Sequence, residues 1–250
     1  MAGASISKNL AHFLPYLYLT SNNLIHRNQS AYRPHHSSET ALLNLTDNWL
    51  KDIDSRKLVG SVLDLSKAFD LVDHDLLLSK IDKYHSTNTS QKWFKSYLSN
   101  RTQRCCINGS LSDALVLARG VPQGSILGPI LFSLYINDLP IGISNSHVDI
   151  YADDTTIWET NSDPLLIQRI LQDSLDRTGR WLSLNKMVPN TKKTKHLIIR
   201  TVQKLLHSGN PSLDLSLCGT PIEEAKDEKL LGVKIDKHLN WPCYTQPVGS

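Results

Sequence analysis

Residues 147–158 read HVDIYADDTTIW, and this stretch decides how the rest of the chain is read. Val148, Ile150 and Tyr151 favour extended backbone, Asp153-Asp154 interrupts them, and residues 155–158 resume the β-forming character. The pattern predicts a hairpin carrying two carboxylates at its tip. Adjacent acids at a tight turn repel one another and resist burial, so two readings stay open. One is a solvated Asp-Asp turn; the other is a pair of acids held by a hard divalent cation through carboxylate oxygens.

Working outward, residues 57–63 predict a short strand with Asp64 at its carboxyl end. Residues 120–128, GVPQGSILG, predict a tight loop in which glycine allows a ligand close to the backbone, leading into an apolar helix over 129–137. Upstream, an amphipathic helix is predicted with Ser38 as N-cap and Leu42, Leu45 and Trp49 as its stripe. The basic cluster Arg27, Arg33, His35 and His36 before it reads as a solvated loop or as phosphate contacts. Further helices are predicted over 75–84, 91–98 and 164–182, and a hairpin about Asn108-Gly109 carries Arg101 and Arg104. A polar loop over 185–195 leads to a strand over 196–200, and residues 213–217 with Ile222 begin one β-turn-β unit that returns at 229–235. Residues 1–24 show Leu10, Phe13, Leu14 and Leu17 at helical spacing interrupted by Pro15, and residues 240–250 look like a frayed tail. This order predicts an α+β fold with helices behind an antiparallel sheet.

With 250 residues, 40% of them apolar and 20% charged, the chain can bury a substantial core. A formal charge of +3 is too small to point to nucleic acid by itself. The four cysteines show no metal-ligand spacing and read as reduced intracellular thiols. The longest apolar run, 126–136, is broken by Gly128, Pro129 and Ser133, and no signal pattern opens the chain, so a soluble protein with no membrane partner is expected.

On the sheet reading, Asp64, Asp153 and Asp154 converge on one edge. Three converging acids suit two divalent ions, which activate a hydroxyl nucleophile and stabilise the leaving oxygen of an in-line displacement; the chemistry would be nucleotidyl transfer. A hydrolase fits less well, because no nucleophile or general base stands beside these acids.

Five blocks then stand in a particular order: LDLSKAFDLVDHDLLLSKI (63–81), GVPQGSILGPILFSLYINDLP (120–140), YADDTT (151–156), NTKKTKHLII (190–199) and KLLGVKID (229–236). Over roughly residues 24–241 the chain resembles the reverse transcriptases of non-LTR retrotransposons, in their jockey-like and related LINE branch. The resemblance implies a right-hand polymerase: partial fingers over 25–60 after a truncated segment 1–24, a palm over 61–200, and a primer-grip-like hairpin with the start of a thumb over 201–241. Residues 242–250 form the tail. It implies an RNA-directed DNA polymerase that adds dNTPs to a DNA primer on an RNA template with two Mg²⁺ or Mn²⁺ ions. Asp64, Asp153 and Asp154 match the metal-binding acids, and Phe69 matches the bulky residue that rejects a 2′-hydroxyl. Lys67 and Ala68 match the backbone donors to the triphosphate, Gln123 and Gly124 the loop against the incoming nucleotide, Lys193 a lysine near the leaving pyrophosphate, and Leu230, Leu231 and Gly232 the primer grip.

The chain also departs from the pattern. Ala31-Tyr32 stands where relatives have Gly-Phe, Pro189 stands in place of an apolar residue, and the strand before Asp64 is one residue short, which reverses side-chain facing unless a bulge absorbs it. Much of the fingers and thumb is missing, so low or no processive activity is expected of a chain that folds as the palm. The alternative is a catalytically silent remnant that at most binds nucleic acid through Arg101, Arg104 and the basic residues 192–195. Either form is expected inside the cell, in nucleus or cytoplasm, in an oligomeric state on which the sequence is silent.

Overall fold

The computed structural model describes residues 18–55, 58–63, 68–84, 87–122, 124–200 and 212–239. Contacts divide the chain into two compact units, each built from separate stretches. The unit formed by Arg27–Ser66, Leu139–Leu182 and Pro189–Ser250 holds the large sheet. Its centre is β1 (Leu58–Leu63), flanked by β7 (Asp154–Asn161) and β8 (Lys195–Ile199), with β6 (His147–Tyr151) beyond β7 and β11 (Glu223–Glu224) beyond β8. All neighbours are antiparallel except β11, which runs parallel to β8.

Strand geometry sends alternate residues to opposite faces, and each face has its own cover. On one side Val59, Trp158, Leu197 and Ile199 form a cluster with Leu42, Leu45, Trp49 and Ile53 of α1 (Ser38–Asp54). Trp49 meets Trp158 edge to face at 6.4 Å between ring centroids. On the other side lies α6 (Pro164–Leu184), which buries Ile167, Leu171 and Leu175. Gly60 makes that approach possible: a Cβ there would sit 2.7 Å from Ile167 Cγ2 and 2.9 Å from Leu171 Cδ1.

The predicted stripe Leu42, Leu45, Trp49 is buried, but the helix begins one residue differently from expectation. Ser37 is the N-cap, accepting from the Thr40 N–H at 3.1 Å while the Thr40 hydroxyl accepts from the Ser37 N–H at 2.8 Å. Ser38 has instead the first helical position, because Thr40 stands three residues after Ser37 and completes a reciprocal cap. A second correction concerns the end of the chain. The single β-turn-β unit predicted there is two hairpins: β9 (Ser216–Leu217) with β10 (Thr220–Pro221), and β12 (Asp227–Leu230) with β13 (Val233–Asp236). Cys218-Gly219 and Leu231-Gly232, all four at positive φ, each make a separate turn.

The other unit, from Met1–His26, Lys67–Asp138 and Ser183–Val188, is mainly helical. It contains α2 (Ala68–Leu71), α3 (His74–Asp82), α4 (Asn88–Leu98) and α5 (Gly128–Ile136). Helix α5 is apolar all round and buried all round, with Pro129 in its first turn. Asp73 caps α3 through the Leu76 N–H and pairs with Lys186 Nζ at 2.8 Å. The Asn108-Gly109 hairpin forms as predicted, between β3 (Cys106–Ile107) and β4 (Ser110–Leu111), with β2 (Thr102–Gln103) and β5 (Leu115–Val116) below it. Cys105, Cys106 and Cys218 are free and exposed. No helix of the described residues is long and apolar enough to cross a membrane. The readings for residues 1–17 and 240–250 fall outside the described residues.

Two outcomes follow for stability. Gly60→Val forces two methyl groups into the α6 contact and lowers unfolding free energy by about 1–3 kcal/mol, measured by urea denaturation, whereas wild-type stability would contradict the packing. His196, buried in β8, has its pKa lowered from 6.5 by desolvation, against the opposing pull of Glu224 and the Ile222 backbone. A depressed folded pKa means that the unfolded chain takes up the proton first, so stability is full above pH 6.5 and declines as pH falls below it. His196→Leu flattens this limb of the melting-temperature profile.

Candidate active site

The ladder between β6 and β7 runs from His147↔Trp158 to Tyr151↔Asp154, leaving only Ala152 and Asp153 in the turn. Ala152 has φ +56° and Asp153 is not at positive φ, the pattern of a type II′ hairpin turn. Asp153 therefore stands at the tip, partly exposed, and Asp154 opens β7 opposite Tyr151. β1 pairs with β7 without a break from Leu58↔Asn161 to Leu63↔Thr156, so no bulge compensates the short strand within the described residues. Asp64 follows Leu63 in sequence and lies outside the described residues, as do Lys67 and Gln123.

An unpredicted segment supports the turn. Ser30 N–H donates to Ile150 O at 2.8 Å and Ile150 N–H to Asn28 O at 2.9 Å, so residues 28–30 run parallel beside β6. Tyr32, at φ +57°, follows. Burial raises its phenol pKa, and the charge of Asp153 and then Tyr151 raise it further, which puts the ring within the field of the acid turn. Behind the turn, Asp149 accepts from Trp158 Nε1 at 2.7 Å. Burial pushes its carboxyl up, against that hydrogen bond and the His147 charge. His147 stacks on Trp158 at 4.1 Å between centroids.

Asp154 also borders a cleft of about 380 Å³ that is lined by Lys192, Lys193, Lys195, Lys229 and Leu230. Lys195 Nζ lies 3.8 Å from Glu228, and Lys193 is exposed on a loop closed by its N–H to Asn190 O at 2.9 Å. The β12–β13 turn is Leu231-Gly232, at φ +49° and +90°, a type I′ pattern. Leu230 is buried and Leu231 packs against the α1 cluster. One cleft thus gathers Asp154, Lys193 and Leu230, with Glu228 and further lysines on the same lining. A second cleft, of about 500 Å³, gathers Arg27, His35, His36, Asn44, Asn48 and His147.

The remaining candidates belong to the helical unit. Phe69 stacks on Phe132 of α5 at 4.1 Å and 21° between planes, and its carbonyl accepts the Val121 N–H at 3.0 Å. Gly124, at φ +76°, is exposed with open space where a side chain would project. Ala68 opens α2. Among the described residues no three His, Cys, Asp or Glu side chains cluster as a metal site. Asp153 and Asp154 supply two hard oxygen donors on a partly exposed turn, a donor set suited to Mg²⁺ or Mn²⁺. Gln29 and Asp149 carry no signal that the sequence reading picks out, and Tyr32 enters it only as a departure from the family's Gly-Phe. Gln29 and the residues that follow it reach the acids through long-range pairing, whereas Asp149 is held by Trp158 across its own hairpin.

A family model for reverse transcriptase (RNA-dependent DNA polymerase) matches residues 5–235. The probable RNA-directed DNA polymerase from transposon BS of Drosophila melanogaster is 28% identical over 238 residues, 89% of this chain and 25% of that protein. The RNA-directed DNA polymerase from mobile element jockey of the same species is 28% identical over 221 residues, 85% of this chain and 23% of that protein. The chain spans about a quarter of the length of these curated relatives. Among solved structures, telomerase from Candida tropicalis in complex with a fragment of telomeric RNA superposes with a TM-score of 0.60 at 13% identity, covering 98% of this chain and 39% of that one. The apo form of that telomerase gives 0.58 at 14%, covering 92% and 39%. These likenesses are of fold, and the fold is the α+β polymerase palm.

The turn geometry yields a ranking. Ala152→Gly relieves a left-handed alanine and raises unfolding free energy by about 1 kcal/mol, whereas β-branched Ala152→Val lowers it. Chemical denaturation of the three proteins checks the order Gly, Ala, Val.

Proposed function

Because the chain belongs to the reverse transcriptase (RNA-dependent DNA polymerase) family, we propose that it is catalytic machinery of a non-LTR retrotransposon, extending a DNA primer on an RNA template from dNTPs. The observation that carries this reading is the acid turn, whose Asp154 shares one cleft with Lys193 and Leu230. The family uses divalent metal ions. In this chain Asp64, Asp153 and Asp154 would hold two, Mg²⁺ or Mn²⁺. When bound, these ions supply activation of the primer 3′-hydroxyl and neutralisation of triphosphate charge.

The chain's own groups do the rest. Lys193, with Lys192 and Lys195 beside it, attracts the polyphosphate and stabilises charge on the leaving pyrophosphate. Phe69, braced by Phe132, presents a ring that excludes a 2′-hydroxyl. Lys67 and Ala68 offer backbone N–H groups to phosphate oxygens, and Gln123 and Gly124 line the nucleotide. The turn at Leu231 and Gly232, with Leu230 anchored in the core, holds the primer end. The work is done inside the cell, in nucleus or cytoplasm.

Primer extension on an RNA template with Mg²⁺ tests the reading. Asp153→Asn is expected to reduce extension at least about 100-fold, roughly 2.7 kcal/mol of barrier. Extension undiminished by the substitution overturns it. A wild-type chain that neither extends a primer nor gains thermal stability from dNTP with Mn²⁺ is the silent nucleic-acid-binding remnant instead.

A further inference from the structure

The acid turn contains an N–H that its own hairpin cannot satisfy. In a two-residue turn the ladder closes between the flanking residues, Tyr151 and Asp154, so the Ala152 N–H has no strand partner. Ala152 is only 8% exposed, and an unpaired amide there would be costly. The partner is Gln29 Oε1, at 3.2 Å. The same oxygen accepts the Ala31 N–H at 2.9 Å, and the Gln29 side chain is 1% exposed. The amide orientation follows from the two donors that meet it, since a reversed carboxamide would set an NH₂ against two N–H groups. The Gln29 backbone is itself fixed, pairing beside Ile150 two residues before the turn.

Gln29 is thus tied to β6 by its main chain and to the tip of the β6–β7 hairpin by its side chain. These two ties hold the turn to the segment beside it. We propose that Gln29 is a positioning residue for the metal-binding acids: its carboxamide oxygen holds Ala152 and so sets the direction in which Asp153 and Asp154 present their carboxylates. The proposal rests on the polymerase reading for its purpose, although the brace exists without it. The Gln29 Nε2 group is buried with no hydrogen-bond partner among the described residues, which suits a side chain retained for its oxygen. Partners behind metal ligands typically change metal affinity about 10–100-fold when removed.

The experiment uses the 250-residue chain with Gln29→Met, which keeps length and removes the acceptor, and Gln29→Glu, which keeps an acceptor in place. Amide hydrogen exchange by NMR reads the brace, and electron paramagnetic resonance of free Mn²⁺ reads metal affinity. The expected result is at least a tenfold faster exchange at Ala152 in Q29M, with β1 and β8 amides unchanged, and Mn²⁺ binding weakened about tenfold. Q29E retains slow exchange at Ala152 and binds Mn²⁺ at least as tightly as wild type. Should Q29M melt below the assay temperature, Gln29→Asn, whose amide is drawn back by one methylene, carries the same comparison. Wild-type exchange at Ala152 in the acceptor-less variant, exchange raised equally through the whole sheet, or undiminished Mn²⁺ affinity each overturns the proposal. Asp153→Asn serves as the control for the underlying reading. If it binds Mn²⁺ as wild type does, the polymerase site fails, and the exchange data still report on the brace.

Discussion

The register of β1 against β7 is the constraint on which the sheet depends. Six consecutive pairs place Gly60 on the face covered by α6 and Val59 on the face covered by α1. A slip of one residue would turn every side chain over, presenting Val59 to Ile167 and Leu171, where not even a methyl group fits without displacement. The apolar alternation and the missing side chain therefore select one register between them. That register also brings Leu63, the residue before Asp64, opposite Thr156, two positions from Asp154. Packing far from the acids thus decides which part of β7 meets the end of β1.

Elements whose signal is local were legible in the sequence. The acid hairpin, the stripe of α1 and the Asn108-Gly109 turn follow from alternation, helical spacing and turn chemistry within a few residues. Residue pattern alone reads the two terminal hairpins as one, because leucine rarely occupies positive φ and argues for continued strand at 231; the family resemblance is what marks residues 230–232 as a hairpin. The N-cap moved from Ser38 to Ser37 for an equally local reason, since adjacent serines compete and the threonine three residues on decides between them.

The candidate site divides along the same line. Asp153, Asp154 and Lys193 are readable because ordered blocks of sequence carry them. Gln29 is not, because its importance comes from partners distant in sequence, and Asp149 is not, because its bond to Trp158 crosses the hairpin without any spacing that marks it. Gln29 stands in a polar loop stretch where glutamine is unremarked, and only the pairing of residues 28–30 with Ile150 buries it. Asp149 alternates correctly as an outward strand residue, yet its carboxyl is taken up by Trp158 Nε1. A buried amide or acid of this kind has no periodicity to betray it, only a hydrogen bond to a neighbouring segment or strand.

Both turns that border the cleft hold an L-residue at positive φ, Ala152 in one and Leu231 in the other. Each such residue costs roughly 1–2 kcal/mol in the folded state. A longer, unstrained loop would avoid that cost, but it would leave Asp153 mobile, and fixing one mobile residue when a ligand arrives costs about 1–2 kcal/mol of backbone entropy. With two or three residues to order, the loop would forfeit more at binding than the tight turn forfeits in folding. The type I′ and II′ conformations also match the right-handed twist of their strands, so the ladder holds the strained residue in place. Strain located at the tip thus keeps the directions of the two carboxylates tied to the sheet.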